Sequence, residues 1–145
     1  MKTKIIDKYL NYNFHDSTLE SLNIRPSNKY DNEKATINIK VSDPNKKDIN
    51  IIFHECANLS FNADFDTLKD NSGFGNTSHT EATDDIQYLT KVIQNAVDHI
   101  NIEYEGLASP IDRKLENVTD YICFKILFFG GTFEVIAKQF EVIEG

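Results

Sequence analysis

The chain has 145 residues, 40% of them hydrophobic, with 10 Phe, 6 Tyr, no Trp and a formal charge of −8, which is the size and make-up of one globular domain able to bury a core without metal or disulfide support. No apolar run approaches the roughly 20 residues of a membrane span, and Met1-Lys2-Thr3-Lys4-Ile5-Ile6-Asp7 turns charged too early for a signal peptide, so a cytoplasmic location is expected. Residues 61–145 carry 15 Asp+Glu against 6 Lys+Arg, whereas residues 1–60 carry 8 against 9; such a balance disfavours nucleic acid and anionic membranes as partners and suits a basic protein.

In chain order, Ile5, Ile6, Tyr9 and Leu10 fall at helical spacing and predict a short amphipathic helix over residues 3–11. Helices below about 12 residues are marginal alone, so this one must dock its apolar stripe on the rest. Asn13-Phe14-His15-Asp16-Ser17 is a polar hinge with an aromatic anchor, followed by a strand that carries Leu19, Leu22 and Ile24 and stops at Pro26. After a polar turn, Ala35, Ile37, Ile39 and Val41 alternate strictly with Thr36, Asn38, Lys40 and Ser42. One face buried and one wet is the pattern of an antiparallel sheet. A third strand over residues 48–55 keeps Ile49, Ile51 and Phe53 in phase. The next run, Cys56 to Asp66, stays in phase through Ala57, Leu59, Phe61, Ala63 and Phe65. These two runs form either one long bent strand or two strands joined by a corner near His54 to Asn58.

Residues 67–80 are the longest polar stretch and read as a loop of the kind that binds or stays disordered, with Gly73-Phe74-Gly75 as its flexible tip and Phe74 exposed on it. Ser78-His79-Thr80-Glu81 matches a capping box, and Ile86, Leu89, Ile93, Ala96, Val97 and Ile100 recur at three- and four-residue spacing. Together they predict a helix over residues 80–99 with Glu81, Asp84 and Asp85 near its positive end. Ile102 to Glu105 reads as a short edge strand through which two copies could pair. The run from Tyr121 to Phe129 is a strand with Ile122, Phe124, Ile126 and Phe128 on its core face, and Gly130-Gly131 supplies the positive backbone angles of a tight turn. The return through Thr132 to Val142 changes parity between Ala137 and Phe140, which requires an extra residue near Lys138 or Gln139. The expected fold is therefore one α+β domain over residues 1–145: a single twisted antiparallel sheet of about six strands, with the long helix and the N-terminal helix packed on it.

Few groupings suggest chemistry. His15-Asp16 lacks the additional ligands of a metal site, and consecutive His15, Asp16 and Ser17 cannot aim their side chains as a hydrolytic triad. His54, two residues from Cys56 on what reads as one strand face, is the only local pairing of a thiol with a base. Cys56 and Cys123 both sit among apolar neighbours as buried free thiols are placed. Asn62, Asp64 and Asp66 point to one side of a strand with Asp70 soon after, but the Gly and distant Glu of a calcium loop are absent, and a solvated strand face accounts for them. No cofactor and no metal are expected.

The Phe14-His15-Asp16-Ser17 motif, the in-phase strands through Asp66 and the closing Phe128-Phe129-Gly130-Gly131-Thr132-Phe133 hairpin resemble a loose group of small bacterial proteins of unknown activity, some of which look like immunity proteins of polymorphic toxin systems. The resemblance implies a cytoplasmic, non-enzymatic antagonist. The leading expectation is accordingly a protein-binding domain, monomeric or homodimeric, that meets a basic toxin or effector through Asp64, Asp66, Asp70, Phe74, Asp84 and Asp85. The alternative is a small hydrolase-like or metal-binding enzyme whose site gathers His15, Asp16, His54 and Cys56.

Overall fold

The structure is a computed structural model that describes residues 1–12, 14, 17–28, 34–43, 45, 47–64, 74–103, 117–128 and 131–144. Its elements are α1 (Lys2–Asn11), β1 (Thr18–Arg25), β2 (Ala35–Ser42), β3 (Asp48–Cys56), β4 (Asn58–Ala63), β5 (Phe74–Thr83), α2 (Ile86–Glu103), a single 3-10 turn (Val118–Asp120), β6 (Ile122–Phe128), β7 (Gly131–Ala137) and β8 (Gln139–Glu144). The fold is α+β, as expected, but the strands form two four-stranded antiparallel sheets rather than one sheet of about six. The first holds β1, β2, β3 and β8 and the second β4, β7, β6 and β5; Thr18 opposite Asn76 and Leu19 opposite Phe74 join them, giving the order β4-β7-β6-β5-β1-β2-β3-β8.

Two residues at a corner explain the division. Only Ala57 separates β3 from β4 and only Lys138 separates β7 from β8, and β3 pairs with β8 while β4 pairs with β7. One two-stranded ribbon thus leaves the first sheet and enters the second, its ladder carried through the bend by Ala57 N donating to Ile136 O at 2.8 Å and Lys138 N to His54 O at 3.2 Å. Glu55, at φ 53°, is the extra residue: His54 and Glu55 together oppose Thr36 alone between the pairs Ile37–Phe53 and Ala35–Cys56. An additional residue in left-handed conformation is a β-bulge, which bends the strand and lets it change sheets. The interruption required near Lys138 or Gln139 falls at Lys138, and it returns Phe140 to the core that Phe133, Val135 and Ala137 share.

The sheets enclose one apolar interior, in which Ile37, Ile39, Ile51, Phe53, Phe124 and Phe133 are fully buried. Docking of α1 is achieved by Tyr9, which is fully buried, donates its hydroxyl to Lys125 O at 2.8 Å and meets the rings of Phe124 and Phe140 edge-on at 4.9 and 5.3 Å. A second cluster lies outside the second sheet, where Leu89, Ile93 and Val97 of α2 cover Tyr121, Cys123 and Ile136.

Four local expectations are corrected. The capping-box stretch is strand: residues 77–83 pair with β6, and ladder bonds along a sheet outweigh a four-residue signal. Phe74 likewise belongs to β5 and stands opposite Leu19 rather than on a loop tip. The helix instead starts at Ile86, with Asp85 Oδ1 accepting from Gln87 N at 3.0 Å and Thr83 Oγ1 accepting from Asp85 N at 3.1 Å. It runs to Glu103, so Ile102 and Glu103, expected in an edge strand, are helical. Finally, Phe128 pairs with Gly131, which places Gly131 inside β7 rather than in the turn expected at Gly130-Gly131. There a Cβ would stand 2.5 Å from Asn62 O, so the close approach of β4, not the turn, demands glycine at this position.

Candidate functional site

The strand register creates a charged row on the outer face of the second sheet. Glu81 lies opposite Lys125, and Lys125 lies opposite Glu134. The first turn of α2 brings Tyr88 over this row: its hydroxyl donates to Glu134 Oε2 at 2.8 Å, and Lys125 Nζ sits 3.3 Å from the same oxygen and 4.9 Å from the centre of the Tyr88 ring. A bond to an ionised acceptor, a partly buried ion pair and a cation over an aromatic face reinforce one another here. Above them opens a cleft of about 560 Å³ lined by Leu10 of α1, residues 79–83 of β5, Asp85, Tyr88, Cys123 and Lys125.

Lys125, Tyr88 and Cys123 each hold their proton at the base. Lys125 is raised above the ordinary lysine range, first by its contact with the Tyr88 hydroxyl and then by the Glu134 carboxylate, which together outweigh desolvation. Burial raises Tyr88. Cys123 is pushed up to about 12, chiefly by burial and then by the negative charge of Glu134. A protonated lysine, a neutral phenol and a neutral thiol offer neither a base nor a nucleophile near neutral pH, which is the reverse of the tuning that acid–base and nucleophilic catalysis use.

The rim differs in character. His79 Nε2 lies 3.2 Å from Glu81 Oε1, and Asp84, between the lining residues Thr83 and Asp85, holds Lys2 at 3.7 Å. Leu10 and Ile86 expose 44% and 45% of their surface beside these acids. A second depression of about 400 Å³ follows α1, lined by Lys4, Asp7, Lys8, Asn11 and Tyr12 of that one segment.

Of the residues expected to meet a partner, Asp85 lines the cleft and Asp84 precedes it, paired with Lys2. Asp64 follows β4, three strands from β5, and is exposed; Phe74 is in β5; Asp66 and Asp70 lie outside the described residues. His15 and Asp16 of the alternative site also lie outside them. His54 and Cys56 are not brought together. His54 faces outward with its Nε2 3.0 Å from Glu141 Oε1, whereas Cys56 is buried, donates to Phe53 O at 3.2 Å and is pushed up to about 12 by burial. The bulge at Glu55 divides them, since an extra residue between two positions breaks the alternation that would place both on one face. Both cysteines are free, and among the described residues no three His, Cys, Asp or Glu side chains are grouped to hold a metal ion.

Sequence reasoning missed Lys125, Tyr88 and Glu134, although Lys125 is the lone charge in the Tyr121–Phe129 run. Compared with known proteins, the chain matches no family model, no curated protein and no solved structure. Among the described residues no helix is long and apolar enough to cross a membrane.

Proposed function

We propose that this chain is a non-enzymatic protein-binding domain of the cytoplasm, of the immunity-antagonist kind, and that its cleft between α1, β5 and the start of α2 meets a basic toxin or effector. One observation carries the reading: among the described residues Glu81 and Asp85 line the cleft together with exposed Leu10, Asp84 and exposed Ile86 flank Asp85 in the chain, and the lysine at the base, Lys125, is already matched by Glu134. Apolar anchors ringed by charge are the anatomy of a protein interface, and acids on that ring speed the approach of a basic surface. The protonated Lys125, Tyr88 and Cys123 at the base of the cleft support recognition over turnover.

The test is affinity capture from a lysate of the source cells at about 50 mM and about 500 mM salt, where the screening length falls from about 14 to about 4 Å. A basic protein retained at low salt, released at high salt, lost with Glu81→Lys and kept with Asp98→Lys on the far part of α2 supports the reading. Retention indifferent to salt and to Glu81→Lys sinks it.

A further inference from the structure

We infer that the cleft is a groove for strand addition: an extended segment of the partner pairs with the open edge of β5 along residues 79–83, an inference that rests on the reading of the chain as a binding domain. Topology leaves that edge open. β1 meets β5 at Thr18–Asn76 and Leu19–Phe74, and beyond Asn76 the backbone of residues 79–83 bonds, among the described residues, to β6 alone. Along a strand every second residue turns its N–H and C=O away from a given neighbour, so the side of this run that faces α1 offers unused donors and acceptors. The cavity follows the same edge. Successive side chains of a strand point to opposite faces, yet all five residues from His79 to Thr83 line the cleft, Glu81 from the outer face opposite Lys125 and Ala82 from the face packed on the main core. A cavity that touches both faces of one strand runs along its edge.

The guest is a segment of another protein in which cationic and apolar residues alternate. A second copy of this chain fits poorly, because antiparallel pairing of the run with itself about its centre sets Glu81 opposite Glu81, and like charges directly opposite are destabilising. The same side chain favours a cation at that position. On the outer face Lys125 is matched by Glu134 at 3.3 Å, so the charge a guest strand meets across the open edge is Glu81, approached along its own strand by His79 at 3.2 Å, in a chain of net charge −8. On the opposite face the guest meets Ala82 and the half-exposed Leu10 of α1, which calls for apolar residues. Length is bounded too. The pairing at Thr18–Asn76 closes one end and the turn into α2 at Asp85 the other, leaving about 17 Å of edge at about 3.4 Å per residue, one short strand. Main-chain bonds then give the complex its affinity and the alternating side chains its selectivity.

The experiment is an amide NMR titration with hydrogen exchange on the whole chain, using acetylated and amidated peptides matched in length to residues 79–83: alternating lysine and valine, the same peptide N-methylated at every second amide in either phase, and alternating glutamate and valine. Saturable shifts confined to Leu10 and residues 79–85 are expected for the lysine–valine peptide, with a roughly millimolar Kd and slowed exchange at alternate amides of residues 79–83. Methylation in one phase should weaken binding by about tenfold or more, because it removes the donors that face β5, and the glutamate peptide should bind more weakly than the lysine one. Equal binding of both methylated peptides and the parent, unchanged exchange along residues 79–83, or a glutamate peptide that binds as tightly each overturns the assignment. If the lysine–valine peptide shifts nothing on β5 while Glu81→Lys still abolishes capture of the partner, the strand-addition groove is wrong and the binding domain stands; if Glu81→Lys also leaves capture intact, both fall.

Discussion

Tyr9 is the test of how α1 belongs to the fold. The helix has ten residues, too few to persist alone, and Tyr9 is its one fully buried side chain. Tyr9→Phe keeps the ring contacts and deletes the hydroxyl that donates to Lys125 O at 2.8 Å, a loss of about 1–2 kcal/mol for a buried neutral bond. Tyr9→Ala also empties the space between Phe53, Phe124 and Phe140; large aromatic truncations cost about 3–5 kcal/mol, so about 4–7 kcal/mol in all. At this chain length, about 2–4 °C per kcal/mol turns that into a fall in Tm of roughly 8–28 °C. Urea unfolding of wild type, Tyr9→Phe, Tyr9→Leu and Tyr9→Ala measures the series, and hydrogen exchange follows the amides of α1. The ordering should be Phe, then Leu, then Ala in increasing damage, with α1 exchanging near the solvent rate in the Ala variant. If Tyr9→Ala costs under about 1 kcal/mol, or no more than Tyr9→Phe, α1 is an ornament on a sheet core that stands without it, and the reasoning is wrong.

Gly131→Ala should destabilise by about 1–3 kcal/mol in the same unfolding assay, because its Cβ would stand 2.5 Å from Asn62 O, a backbone atom that cannot swing aside; a neutral result would mean β4 and β7 separate easily. Glu55→Gly should stabilise by about 0.5–1 kcal/mol, since glycine takes φ 53° without strain, while Glu55→Val should cost more than 1 kcal/mol; equal damage from both would place the strain elsewhere. Burial pushes Cys56 and Cys123 from the ordinary 9.0 up to about 12. An unfolded thiol therefore ionises above about pH 9 while the folded one keeps its proton, so stability is level below that pH and falls between about pH 9 and 12, by up to about 1.4 kcal/mol per pH unit for each thiol. Urea midpoints between pH 7 and 10.5 read this directly; a midpoint flat to pH 10.5 contradicts it, as does rapid labelling of either cysteine by a thiol reagent in the native protein at pH 8.

The strands from Ala35 to Ser42 and from Asp48 to Glu55 were legible because alternation is a local signal: each side chain reports the face it occupies, and Ile37, Ile39, Ile51 and Phe53 are all buried where the pattern puts them. The helix start and the site were not, for one shared reason: pairing partners decided both. Residues 77–83 contain a sound capping box, yet the backbone of those residues is claimed by β6, and the cap passes to Asp85. Register governs the site more strictly still. With Gly130 and Gly131 taken as the two turn residues, Lys125 falls opposite Ile136 and reads as a stray surface charge. In the observed register Phe128 meets Gly131 and Lys125 meets Glu134. A single-residue choice at a turn moves every cross-strand neighbour by two positions, and here it converts an isolated lysine into the paired base of a cleft. The glycine that suggested the wrong turn is explained by the strand on its other side, where Asn62 leaves no room for a Cβ. The same dependence on partners explains why His54 and Cys56, two apart in a run that alternates, end on opposite faces: the pairing of β3 with both β2 and β8 forces Glu55 out as a bulge, and the corner that results is what folds one ribbon into two sheets.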